Sequence, residues 1–315
     1  MWPPAPDIPR YQFAGQLIGE NNFVRDADAD GALVRLFRWI AGLASSNPVT
    51  LQRPQGIAVD AAGRVFVSDV SRAAVFVFDP VAGELRLLEY ANGLQRFINP
   101  VGVVTDPDGS LWVADAELAI IAHLSPDGDP LPAIGKGQLG RPTGLVRNPA
   151  DGHLLVADTQ AHKILEFTPG GDLVRTIGER GHDAGQFNFP TYLALAGERL
   201  YVTDTMNSRV QILHLASGEF VQSVGRRGLY TGNLVRPKGV ATDTDGNVYI
   251  VESLYDNLLI FNEDGQFLMP IGGVGKEIGK FYLPSGVAVD DFNRILVADT
   301  FNGRVVLFQY LGNTQ

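Results

Sequence analysis

The 315-residue chain has no cysteine, which removes disulfide frameworks, thiolate metal sites, covalently attached haem and thiol nucleophiles together. No apolar run approaches the ~18 residues that a bilayer-spanning helix needs. Charged residues make up only 19% of the chain, too few for a disordered polymer. Positive charge is short: 25 Lys and Arg stand against 35 Asp and Glu, a formal net charge of −10. Phosphate affinity comes mainly from Lys and Arg, so this balance speaks against a generic nucleic-acid binder. Turn formers are abundant, with 36 Gly and 19 Pro. At ~150 residues per domain the length suggests two domains at most, yet large all-β folds run longer as single units.

The first ten residues, MWPPAPDIPR, contain no apolar core and are not a signal peptide. Four prolines in this stretch predict an extended linker over residues 1–10. Met1 directly before such a linker reads as the start left when a longer, exported precursor is shortened.

An internal repeat organises the rest. Its unit is Pro-x-Gly, a short apolar strand, a turn, a second apolar strand ending in a carboxylate, then a third strand. RPQGIAVDAAGRVFVSD at 53–69 is the first copy and LPSGVAVDDFNRILVAD at 283–299 the last. The prolines are Pro54, Pro100, Pro142, Pro190, Pro237 and Pro284, and the carboxylates Asp69, Asp115, Asp158, Asp204, Glu252 and Asp299. Both series recur every 42 to 48 residues. The fourth copy shows four strand-like runs at 192–196, 199–204, 209–215 and 219–225. A period in the forties with four strands per unit is the signature of a propeller blade. The expected fold is therefore all-β: one six-bladed β-propeller over residues 11–315, with four-stranded blades.

The stretch FPTYLALAGERLYVTDTMNSRVQILHLASGEFVQSVG resembles an NHL repeat, whose pattern runs Pro-x-Gly-Ile-Ala-Val-Asp, then Val-Ala-Asp-Thr-x-Asn-x-Arg-Val, then a last strand ending in Gly. The resemblance spans about residues 51–310 and is most specific in blades 3, 4 and 6. Blade 4 departs from it with Tyr192 in place of Gly. Blades 1, 2 and 5 lose the Asn and Arg of the inter-strand loop. The resemblance implies a propeller with a central channel. It also implies a binding face that carries both the loop after the second strand and the connection into Pro-x-Gly.

A propeller has to close, because unpaired edges of its first and last blades invite aggregation. The last copy ends after three strands, so YQFAGQLIG at 11–19 is expected to supply its outermost strand. The segment 19–50 then replaces an ordinary connection before blade 1. Within it, ALVRLFRWIAGL at 32–43 places apolar residues at helical spacing, with Asp30 as the N-cap. One short helical insert is thus expected on the binding face.

Repeated carboxylates at strand ends read best as acceptors for the amides of the next turn or as partners of neighbouring Arg. Asp26, Asp28, Asp30 and Gly31 match the first half of a calcium loop, although Phe37 stands where its bidentate Glu belongs. Calcium is the one cofactor this pattern brings forward. None of His123, His153, His162, His182 and His214 has the i, i+2 or i, i+4 spacing of a zinc site, so they read as solvated or packing residues. A Gly-x-Ser-x-Gly elbow is absent.

Asymmetry on the expected binding face is the functional signal. Regular blades place Lys163, Arg209 and Arg304 five residues after the carboxylate, while irregular ones show Arg72, Leu118 and Tyr255 three residues after it. The insert adds Arg35, Arg38 and Trp39, and Lys238 follows the fifth proline. A basic, aromatic patch on an acidic protein suits a partner chain. The expected function is a non-enzymatic platform that binds a protein or peptide, in the periplasm or at the cell surface, with a lipid anchor on the precursor as one route there. Two other functions stay open. Among proteins of this resemblance, metal-dependent lyases and lactonase-like hydrolases carry ligands in the channel, and some animal NHL domains bind RNA through a basic face.

Overall fold

The computed structural model describes residues 1–23 and 48–312. Six four-stranded antiparallel sheets form a ring of six blades, and a small two-stranded hairpin (Tyr90–Asn92, Gln95–Arg96) lies between blades 1 and 2. In blade 1 the strands are Pro54–Val59, Val65–Asp69, Ala74–Asp79 and Glu84–Leu88, counted from the hub outward. The other blades repeat this order. Helix among the described residues is limited to short 3-10 turns at Glu20–Phe23, Thr205–Asn207 and Thr300–Asn302. The predicted helix at 32–43 lies outside the described residues.

The second and third strands are sandwiched between neighbouring blades, which explains why they read as continuous apolar runs rather than alternating ones. Val65–Asp69 and Leu154–Asp158 are buried at every position. Outermost strands face solvent; Leu173–Ile177 buries only its last residue fully. The core is accordingly six wedges, one per blade seam. Phe76, Phe78, Val305 and Leu296 fill the seam between blades 6 and 1, for example, and Phe187, Leu200 and Ile164 that between blades 3 and 4.

At the hub the glycine of Pro-x-Gly has a steric cause. A Cβ on Gly56, Gly102 or Gly286 would collide with the carbonyl oxygen of Val101, Thr143 or Gln55 in the adjoining blade. The innermost strands approach too closely for any side chain there. In the regular blades, the Thr after the carboxylate ties the same seam: Thr159, Thr205 and Thr300 donate their hydroxyls to the carbonyls of Pro190, Pro237 and Pro54 at 2.6, 2.9 and 2.8 Å.

The ring closes as the repeat count required. Tyr11–Leu17 pairs antiparallel with Arg304–Tyr310, from Tyr11 opposite Tyr310 to Leu17 opposite Val305. The N-terminal strand is also anchored sideways: the hydroxyls of Tyr11 and Tyr249 lie 3.3 Å apart, and that of Tyr249 donates to Asp243 at 2.7 Å. Burial, more than any neighbour, pushes both phenols above their ordinary range. Residues 1–10 do not run out as an extended linker. Trp2 bridges to Tyr11, and its ring meets that of Phe308 edge-on at 5.2 Å. The apolar surface of Trp2 makes docking on blade 6 favourable, which a proline count alone does not register.

Candidate functional site

Alternating strand direction puts the strand-end carboxylates, the loops after them and the connections into each Pro at one end of the ring. Each carboxylate staples that end together. Asp69 accepts the amides of Gln52 and Arg53 on the incoming connection, at 2.6 and 2.9 Å, and those of Ser71 and Arg72 on the outgoing loop, both at 3.0 Å. Asp115 and Glu252 repeat this arrangement. Burial raises the pKa of Glu252 and Asp299 despite these donors. The six carboxylates thus hold the face in shape rather than presenting themselves to a ligand.

The channel is plugged. Tyr192, at the position where the other blades have Gly, reaches across from blade 4 and bonds Ser285 of blade 6 at 2.8 Å. Burial raises this phenol to about 12. Around it lie Gly56, Gly102, Gly144 and Gly286 with Ile57, Val103, Leu145, Leu193, Val240 and Val287. These residues enclose a cavity of about 50 Å³. Such a lining offers neither ligands for a metal nor groups for acid–base chemistry.

The expected site residues divide into four groups. Arg209 and Arg304 turn inward. Each donates Nε to a fully buried carboxylate, Asp204 at 2.9 Å and Asp299 at 2.8 Å. Each also holds carbonyls of the preceding connection, Asp183 and Gln186 in one case and Lys280 in the other. They are clamps whose guanidinium groups are largely occupied. Leu118 packs against the core between blades 1 and 2. By contrast Arg72, Lys163, Lys238 and Tyr255 do stand on the loop-bearing face. Arg72 bonds the Thr50 carbonyl at 3.1 Å, and Tyr255 is exposed. Arg35, Arg38, Trp39 and the acidic Asp26, Asp28 and Asp30 lie outside the described residues.

Two features of this face were not anticipated. Residues immediately before the repeated prolines include Arg53, Arg141 and Arg236, all exposed. With Lys238 they make a basic mouth over the plugged channel in an acidic protein. Lys238 is largely desolvated there, and Arg236 and Arg141 lie near enough to repel it; burial first and these charges second lower its pKa to about 8. The repeat alignment exposes that Arg series to anyone who reads the position before Pro.

The second feature is apolar. Ile98, Phe189, Met206, Leu254, Tyr282 and Phe301 are large exposed side chains on the loops of this face. Arg53 lies over the Phe301 ring at 4.7 Å. Beside Tyr255, the blade 4-to-5 connection raises Leu229 and Tyr230, which are more than four-fifths exposed, over a cavity of about 260 Å³. Clustered exposed apolar groups of this kind mark interaction surfaces.

Known proteins agree with the architecture. The NHL repeat model matches residues 51–78, which span the first three strands of blade 1. Virginiamycin B lyase from Staphylococcus aureus is 14% identical with a TM-score of 0.59, over 82% of this chain and 96% of the lyase chain. A gluconolactonase from Xanthomonas campestris is 15% identical with a TM-score of 0.62, covering 95% and 98% of the two chains. A chain of the nidogen–laminin complex is 16% identical with a TM-score of 0.61, over 81% and 90%. At such identities these likenesses establish a shared fold that serves both enzymes and binding proteins. With an NHL repeat matched at residues 51–78 and a four-stranded blade built six times around a ring, the chain is a six-bladed β-propeller whose first blade carries an NHL repeat.

Proposed function

We propose that this protein is a non-enzymatic platform that binds a protein or peptide on the loop-bearing face, outside the cytoplasm. The observation that carries this reading is the concentration of exposed apolar and aromatic side chains on that face, around a cationic mouth formed by Arg53, Arg141, Arg236 and Lys238. Exposed aromatic and apolar anchors interleaved with Arg are the residue types enriched in protein interfaces. Opposite charge steers a partner toward it, so the partner is an acidic segment with apolar or aromatic residues. Tyr192 fills the channel in which a lyase or lactonase of this fold would work, which favours the platform over that reading. RNA binding is disfavoured by the net charge of −10.

The test is capture of partners from the envelope fraction of the source organism. Wild type is compared with a Tyr255→Ala/Leu229→Ala variant of equal stability. A partner retained by wild type and lost by the variant, with affinity falling as salt rises, supports the reading; equal recovery by both sinks the face. Fractionation of the native protein tests the compartment, and a purely cytosolic pool would refute that part.

A further inference from the structure

On the opposite end of the ring, blades 3 and 4 border a cavity of about 570 Å³ whose walls carry Asp151, His153, Glu166, Arg175, Glu198 and His214. Three of these converge. His153 Nδ1 lies 2.9 Å from Glu166 Oε1 and 3.6 Å from Asp151 Oδ2, and all three ligand atoms fall within 4.8 Å of one another. An ion bound tetrahedrally at ~2.0–2.2 Å separates its ligand atoms by ~3.3–3.6 Å. The two observed separations bracket that edge.

The donor atoms are also held from behind. Glu166 is buried on its strand, directly opposite Arg175, whose guanidinium takes Oε2 and leaves Oε1 toward His153. Arg175 is fixed in turn across the seam by the carbonyls of Leu215 and Ala216, at 2.6 and 2.5 Å. Asp151 Oδ1 accepts the His153 amide at 2.9 Å, so Oδ2 is the oxygen that faces the ring nitrogen. Supports of this kind orient metal ligands in proteins that bind them. Across the cavity stand Glu198 and His214, and His214 Nδ1 is buried without a hydrogen-bond partner among the described residues.

We propose that Asp151, His153 and Glu166 form a site for one divalent transition-metal ion of the zinc class, with its remaining coordination position open to the cavity. Mixed imidazole and carboxylate donors select such ions over magnesium or calcium, which take oxygen. The metal takes the place between His153 Nδ1 and Glu166 Oε1 that a shared proton occupies in its absence. The site lies on the face away from the proposed partner surface and does not depend on that reading.

The experiment uses untagged, chelator-treated protein titrated with Zn²⁺ against a chromophoric competitor, and with Co²⁺ followed by visible absorption. One equivalent of Zn²⁺ is expected, along with tetrahedral Co²⁺ bands and a raised Tm. His153→Gln and Asp151→Asn, at a half-buried and an exposed position of the same connection between strands, should each lose all three signals. His182→Gln, which alters a histidine bonded to Asn207 elsewhere, should keep them. Failure of wild type to outcompete the indicator overturns the proposal, as does binding that survives in both turn variants.

Discussion

Removing the Arg209 side chain distinguishes a clamp from a partner-binding residue. Asp204 is fully buried and accepts from the Asn188 amide at 2.6 Å, Asn207 at 2.8 Å, Arg209 at 2.9 Å and Gln211 at 3.2 Å. Stripping one partner from a buried ion pair costs ~3–5 kcal/mol. Three neutral donors remain on Asp204 in Arg209→Ala, and the Arg209 side chain is 18% exposed, so the ion-pair part falls below that range. Loss of the bonds to the Asp183 and Gln186 carbonyls adds ~1 kcal/mol each at most. The expected destabilisation is ~2–4 kcal/mol by urea unfolding. A double-mutant cycle with Asp204→Asn should show coupling of ~1–3 kcal/mol. Arg72→Ala, which loses an exposed bond to Thr50, should cost under ~1 kcal/mol. An Arg209→Ala protein within ~0.5 kcal/mol of wild type that nevertheless fails to capture a partner would refute the clamp and return Arg209 to the binding surface.

Gly286→Ala should cost at least ~1–3 kcal/mol from overpacking, because its Cβ meets the Gln55 carbonyl at the seam that closes the ring; an unchanged urea midpoint would contradict the hub geometry. Tyr192→Phe should lose ~1 kcal/mol with its bond to Ser285, whereas Tyr192→Ala should lose ~3–5 kcal/mol, and equal effects of the two would show that the ring does not plug the channel. Lys238 has a folded pKa near 8, below its unfolded value of 10.5. The unfolded chain therefore binds more protons between those values, and the contribution of Lys238 to stability rises with pH from 8 to 10.5. Lys238→Met should be more stable than wild type at pH 7 with the gap closing toward pH 10.5, and a constant gap across that range would refute the desolvation.

Much of the candidate site was invisible in the sequence because its members meet across strands and seams. His153 and Glu166 are 13 positions apart, a distance that no helical or alternate-residue rule examines. Leu155 lies opposite Glu166, so His153 becomes the diagonal neighbour of Glu166 on the same sheet face. Tyr192 was legible as a departure from the repeat, but its reach to Ser285 follows from ring closure, which brings blade 6, two blades on, within reach at the hub. Arg209 and Arg304 had the right positions for the binding face and the wrong direction. A fixed offset from a carboxylate tells that they share an end of the blade; burial of that carboxylate decides that they turn toward it.

The sequence by itself determined the number of blades, the strand order within each, the carboxylate staples and the N-terminal strand in the last blade. All of these follow from two markers recurring in phase and from a count that leaves one strand missing, which is information stored along the chain. Only the tertiary structure decided that Trp2 docks, that the channel is filled, that apolar loops from several blades share a face with a cationic mouth, and that one imidazole and two carboxylates converge on the other face. Ring closure sets those distances, since it brings together side chains from blades and strands that the repeat treats as equivalent but the chain keeps apart.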